Sequence, residues 1–354
     1  DIRVVDIARE KGLILLCDCC ESHGAKIGKQ DVGSFGLMNT WSFFLSHHMS
    51  VAPSTPILYV DSLGGVRIDP IEDIWQNFQP QDIKVAAFDD NNRIDFVVPS
   101  KIIRHPVGTK RIFRIWLRGG RWIDVTEDHS LFVFDPVLMH PRPATASSLV
   151  KGDFVLAPRK LPSMCNKDVL DFVNYCLSKD QKFTFQGHEP DIRVGVKRQK
   201  IKNYIPGRIK VTPALARFLG FFVAEGSYGH GCTVRFAFDR DEEHLAADVA
   251  QSGESIFGLK SSVYRGQAIE VNFFSTSLVA FMRDFLGIGD GTSRKRIPSS
   301  VFSFPDNCKR AFLFGLSRGD GSLEDASFRI VTSSPNLAND ISYLASMCGL
   351  PGNS

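Results

Sequence analysis

The sequence predicts a multidomain chain of 354 residues in four parts. A short α/β segment (1–49) precedes an all-β region (50–160). A basic linker region (161–212) follows, and then an α+β domain with a pseudo-twofold repeat (213–354). Three observations carry this reading. The chain is too long for one compact core. Its first half places Gly-Gly and Asp/Asn clusters between β-rich runs. Its second half contains one pattern twice: Phe218-Leu-Gly-Phe-Phe-Val-Ala-Glu225-Gly-Ser227 and Phe312-Leu-Phe-Gly-Leu-Ser-Arg-Gly-Asp320-Gly-Ser322.

In chain order, Leu13-Ile-Leu-Leu16 reads as a short buried strand. From residue 50 onward hairpins are predicted across Leu63-Gly-Gly65, Asp89-Asp-Asn-Asn92 and Gly119-Gly120, each between apolar β-prone runs. A helix is predicted around Asp168–Leu177. The stretch from Arg193 to Lys210 holds seven cations and no acid. Thr212-Pro213 then starts a helix, with Thr as N-cap and Pro in the first turn. Strands follow at 233–238, 261–264 and 269–274, with helices at 241–257 and 277–286. After the second repeat come a strand at 328–332 and a helix capped by Ser334-Pro335. The spacing of Leu337, Ile341, Leu344, Ala345 and Cys348 is helical, and Gly349 stops it.

The repeat has a chemical logic. Gly220 and Ala224 in one copy, and Gly315 and Gly319 in the other, lie four apart and share a helix face, so the two helices can approach closely. Packed on those faces, they would bring Glu225 and Asp320 together at their ends, with glycine after each acid suited to the helix exit. Two adjacent carboxylates are costly unless a divalent metal lies between them. This pair resembles the LAGLIDADG (dodecapeptide) homing endonucleases. The resemblance implies a metal-dependent double-strand DNA nuclease in which Glu225 and Asp320 bind Mg²⁺. Lys295, in Lys295-Arg-Ile-Pro298, would assist cleavage. Arg193, Lys197, Arg198, Lys200, Lys202, Arg208 and Lys210 would form an arm on the DNA phosphates. Glu225 departs from the commoner aspartate.

Residues 50–160 carry Thr126-Glu-Asp-His129 and Leu149-Val-Lys-Gly-Asp153. These resemble the splicing blocks of an intein, whose N-terminal part would supply a partial all-β Hint domain here. The resemblance makes Ser50 the first intein residue, where cysteine is commoner. Its hydroxyl would attack the Met49 carbonyl, turning the Met49–Ser50 amide into an ester. His129 would protonate the leaving nitrogen and Thr126 would orient the carbonyl. Residues 1–49 resemble the DegT-type sugar aminotransferases, which use pyridoxal phosphate. Asp18 would pair with the pyridine nitrogen and Ser42 would hold the phosphate. His47 stands where the family carries its Schiff-base lysine, as in its dehydratase branch. On this reading the host enzyme breaks off at Met49, and the exteins are partners in cis. The second endonuclease half is expected to be incomplete. Lacking the terminal His-Asn and a downstream nucleophile, the chain is expected to be a fragment at both ends that cannot splice alone.

Composition limits the alternatives. Hydrophobic content of 43% and charge of 23% fit a soluble globular protein. No apolar run approaches the ~20 residues of a membrane span. No signal peptide is evident, and a cytoplasmic location with reduced thiols is expected. Cys17 and Cys20 have no second pair, so a zinc site is not expected. A free-standing endonuclease would not need the host remnant. A DNA-binding module derived from one would not need both acids and Lys295. A pyridoxal-phosphate enzyme in its own right would need far more chain.

Overall fold

The computed structural model describes residues 6–7, 10–12, 16–18, 26–27, 30–31, 38–40, 51–88, 93–104, 107–117, 122–137, 139–158, 160–179, 182–197, 203–289, 291, 295–319, 321–324 and 327–350. Ser42, His47, Ser50, Arg198, Lys200, Lys202 and Asp320 lie outside these, as do Cys19 and Cys20. For Asp18 only the backbone is described.

In the first segment β1 (Leu16–Asp18) pairs in parallel with β4 (Met38–Thr40), and β2 (Lys26–Ile27) pairs antiparallel with β3 (Gln30–Asp31). The described residues of 51–160 are mostly strands. β5 (Pro56–Asp61), β6 (Val66–Pro70), β7 (Ile83–Phe88) and β8 (Ile94–Val97) form an antiparallel sheet in the order β6-β5-β7-β8. The two-turn helix α1 (Ile71–Asn77) interrupts them. β9 (Ile112–Trp116) and β10 (Trp122–Thr126) make a hairpin. β11 (Ser130–Asp135) is flanked by β12 (His140–Thr145) and β13 (Phe154–Val155). All three Gly- or Asx-marked hairpins therefore form. At Gly64, φ is +77°, a conformation glycine adopts without strain.

The described residues of 161–212 contribute to the main core. The predicted helix at 168–177 is shorter than expected. β14 (Val169–Asp171) is extended because it pairs with β18 (Arg208–Lys210), and only α2 (Phe172–Leu177) is helical, N-capped by Asp171. β15 (Phe183–Gln186), β16 (Arg193–Val196) and β17 (Ile205–Pro206) make a further small sheet. Phe172, Phe183, Val194 and Ile205 are buried in one cluster with the aromatic residues of the next unit.

That unit is built on α3 (Pro213–Glu225) and α6 (Asp306–Gly319). Thr212 caps α3 by accepting from the Leu215 amide at 3.2 Å, as Thr-Pro predicts. α3 leads directly into the sheet β19-β20-β22-β21, made of β19 (Gly226–Gly229), β20 (Thr233–Phe238), β21 (Ser261–Arg265) and β22 (Ile269–Phe274). α4 (Glu243–Phe257) covers its apolar face, so Val234, Phe236, Val271 and Phe273 are sealed against Phe218 and Val249. The predicted helix at 277–286 is α5 (Thr276–Val279) continued by a π-helical turn over Ala280–Phe285. After α6, β23 (Gly321–Glu324) and β24 (Ser327–Ile330) form a hairpin, and α7 (Pro335–Met347) follows, capped by Ser334.

The β-region and the helical unit share a hydrophobic core. Leu58, Val60, Val66 and Ile68 are buried in the same cluster as Leu337 and Leu344. Polar bonds lock the seam: the Val66 amide donates to Ser303 Oγ at 3.0 Å, and Tyr343 Oη to the Pro56 carbonyl at 2.9 Å. Among the described cysteines 165, 176, 232, 308 and 348 none is in a disulfide. Burial raises the Cys176 thiol to about 12 and the Cys348 thiol to about 11, which makes both unreactive.

Candidate functional site

The α3–α6 contact depends on its glycines. A Cβ placed at Gly220 would stand 2.2 Å from the Phe312 carbonyl oxygen, and one at Gly315 would stand 2.3 Å from that of Arg217. Backbone meets backbone at both points, which only glycine permits. At the far end a Cβ at Gly319 would lie 2.5 Å from the Ala224 Cβ and 3.5 Å from Glu225 Oε1. The end of α6 thus abuts the Glu225 carboxylate. Gly226 is needed for another reason than the expected left-handed exit. It is extended (φ −83°, ψ 149°), and a side chain there would strike the Phe222 carbonyl and ring, each at 2.3 Å.

Glu225 and Lys295 line a cleft of about 350 Å³ with Ala224, Gly226, Val331, Thr332 and Ser333. Lys295 Nζ donates to the Ala224 carbonyl, so its ammonium caps the end of α3, where the helix dipole is negative. Carboxylate oxygen at Glu225, with α6 drawn against it, is donor chemistry that fits a hard divalent cation. Asp320, the second proposed ligand, lies outside the described residues. No cluster of three or more His, Cys, Asp or Glu suited to a metal occurs among the described residues.

The basic arm divides. Arg193 Nη2 donates to the carbonyls of Tyr204 at 2.6 Å and Phe257 at 3.3 Å, so this guanidinium holds β16 to its neighbours. Arg208 is taken up by Glu189 and by Asp171 at 3.5 Å. Lys197 and Lys210 are exposed. Sequence reasoning did not single out the outer face of the four-stranded sheet that starts at Glu225. There Ser227 stands opposite Arg235, Arg235 opposite Asn272, and Asn272 opposite Ser262, forming one polar row across all four strands. The alternation Thr-Val-Arg-Phe-Ala-Phe and Ile-Glu-Val-Asn-Phe already marked Arg235 and Asn272 as pointing away from the core.

In the β-region Val51 bridges Val125, and the Ala52 amide donates to the Asp124 carbonyl at 2.9 Å. The residue following Ser50 is thus fastened beside the strand that ends in Thr126. Thr126 is 5% exposed, and its Oγ1 is buried on the side of Asp128. His129 is 6% exposed, and its amide donates to the Thr126 carbonyl at 2.9 Å, closing the Thr-x-x-His turn. Burial raises the carboxyl of Asp128 in that turn, but the Lys110 ammonium, the Thr126 hydroxyl and a backbone amide together outweigh it and hold the group below its usual range.

Residues 2–54 match the DegT/DnrJ/EryC1/StrS aminotransferase family. Most of the chain is also similar to segments of archaeal proteins. It is 28% identical to the replication factor C small subunit of Methanocaldococcus jannaschii, over 87% of this chain and 17% of that protein. It is 24% identical to transcription initiation factor IIB of the same organism, over 74% and 30%. It is 23% identical to a DNA polymerase of Thermococcus sp. (strain GE8), over 83% and 17%. The chain spans less than a third of the length of these curated relatives. No described helix is long and apolar enough to cross a membrane.

Proposed function

We propose that residues 50–354 are a self-splicing element with an inserted homing endonuclease, interrupting an aminotransferase-like host at Met49–Ser50. The observation that carries the nuclease half is the glycine-faced contact of α3 and α6, which ends at the Glu225–Lys295 cleft. The names of the relatives support an inserted element. A replication factor, a transcription factor and a polymerase have no name in common, yet each contains a segment similar to most of this chain. A segment shared by unlike proteins, and minor in each, is what an insertion leaves.

Glu225 and Asp320 would hold Mg²⁺, which would activate a water and neutralise charge on the scissile phosphate. Lys295 would set a second positive charge beside that phosphate. The row Ser227, Arg235, Asn272 and Ser262, next to the acid, would face the DNA, with Lys197 and Lys210 on phosphates. Each of Lys197→Ala and Lys210→Ala is expected to lower the salt slope of DNA binding by about 1. An unchanged slope in filter-binding titrations would remove that lysine from the interface.

The splicing half rests on the bridge between Val51 and Val125 beside the buried Thr126 hydroxyl. Ser50 Oγ would attack the Met49 carbonyl carbon, the C–N bond would break, and His129 would protonate the departing amine. Hydroxylamine should then release residues 1–49 slowly, as a hydroxamate at Met49. Ser50→Ala should stop the release, and His129→Ala should slow it by about 10² or more. Equal release from Ser50→Ala, read by mass spectrometry, would rule out the ester.

A further inference from the structure

We infer that Asp340, acting through Arg296 and together with Ser334, is the positioning residue for Lys295. Asp340 is fully buried on α7. It accepts from Arg296 Nε at 3.1 Å, from Arg296 Nη2 at 2.9 Å and from the Ile297 amide at 3.0 Å. Arg296 Nη2 also donates to the Ile68 carbonyl on β6 at 2.8 Å. At Lys295 itself, Ser334 Oγ donates to the backbone carbonyl at 2.8 Å. Residues 295–297 are thus held at the Lys295 carbonyl, the Arg296 side chain and the Ile297 amide.

A lysine side chain has four rotatable carbons, and its ammonium is a poor anchor for its own backbone. If Lys295 Nζ is to stay on the Ala224 carbonyl, where it faces Glu225, the order must come from the backbone that carries it. The bidentate Arg296–Asp340 pair supplies that order, because its planar fork fixes direction as well as distance. Burying the Asp340 carboxylate against a half-buried arginine is a costly way to gain stability alone, since desolvation offsets much of the attraction. The pair's geometry here is spent on the segment next to the cleft. This assignment rests on the nuclease reading of Lys295.

The test uses Arg296→Lys and Ser334→Ala, because Asp340 is fully buried and Asp340→Asn weakens its bonds to both Arg296 and the Ile297 amide, which threatens folding. Lysines are acylated with N-hydroxysuccinimidyl acetate on the folded chain and read by peptide mass spectrometry, with exposed Lys197 and Lys210 as internal references. In the unaltered chain Lys295 should react about tenfold more slowly than the references. Each variant should raise its rate about fivefold and leave the references unchanged. Cleavage should fall about tenfold in the turnover step with DNA affinity preserved, and the loss should vanish when Lys295 is already alanine. Unchanged acylation of Lys295 in both folded variants overturns the inference. So does faster acylation with undiminished cleavage while Lys295→Ala is inactive. If Lys295→Ala itself cuts normally, the role of Lys295 in the proposed nuclease fails, and acylation alone then decides whether Asp340 and Ser334 seat it.

Discussion

Glu225→Gln is expected to lower DNA cleavage by about 10³-fold, roughly 4 kcal/mol of transition-state stabilisation, with DNA binding kept within about twofold. The amide keeps the size of the side chain and its place at the end of α3, so the helix pair and the polar row on the adjoining sheet remain. It removes the negative charge that faces Lys295 across the cleft. It also replaces one oxygen donor with an amide that repels a cation. Asp320→Asn should behave alike. The measurement is single-turnover cleavage of a duplex carrying the uninterrupted host sequence, beside a binding titration in Ca²⁺. Undiminished cutting by Glu225→Gln would discard the assignment, and equal loss of binding would recast Glu225 as structural.

The second large effect is structural. Gly220→Ala and Gly315→Ala are each expected to cost about 3 kcal/mol, the upper end for an overpacked site. Each new methyl meets a backbone carbonyl, at 2.2 Å and 2.3 Å respectively, and neither carbonyl can rotate away while its helix stays intact. The helices must part, which loosens the packing of Phe218, Phe221 and Phe312 in the core between them. At roughly 2–4 °C per kcal/mol for a unit of this size, melting should fall by about 10 °C. Gly319→Ala should cost less stability and more activity, because its methyl meets the Ala224 Cβ and the side chain of Glu225 itself. Unchanged melting of Gly220→Ala would mean that the helices are not in contact there.

What the sequence made legible was local. Glycines four apart announced the α3–α6 contact, Thr212-Pro213 the start of α3, and Gly-Gly or Asx clusters the hairpins. Each of these signals lies within one turn of the element it specifies. What remained hidden depended on partners far along the chain. Val169–Asp171 has helical company, yet its backbone bonds go to Arg208–Lys210. Arg193 sits in a basic run, yet its guanidinium is used by the Tyr204 and Phe257 carbonyls. A run of cations displays its charge in the sequence, but not which of those charges the fold will use. The acid at position 340 gave no signal at all among the apolar residues of its helix.

The seam between the β-region and the helical unit has a consequence for inheritance. Elements of this kind would lose one activity and keep the other if their two parts could be separated. Here Ile68 accepts from Arg296, Pro56 from Tyr343, and the Val66 amide donates to Ser303. A deletion that removed the helical unit would strand those groups and bare the undersides of Leu58, Val60 and Ile68. The two parts are therefore physically dependent on each other. A lineage that shed the helical unit would first have to resurface β5 and β6 with polar residues.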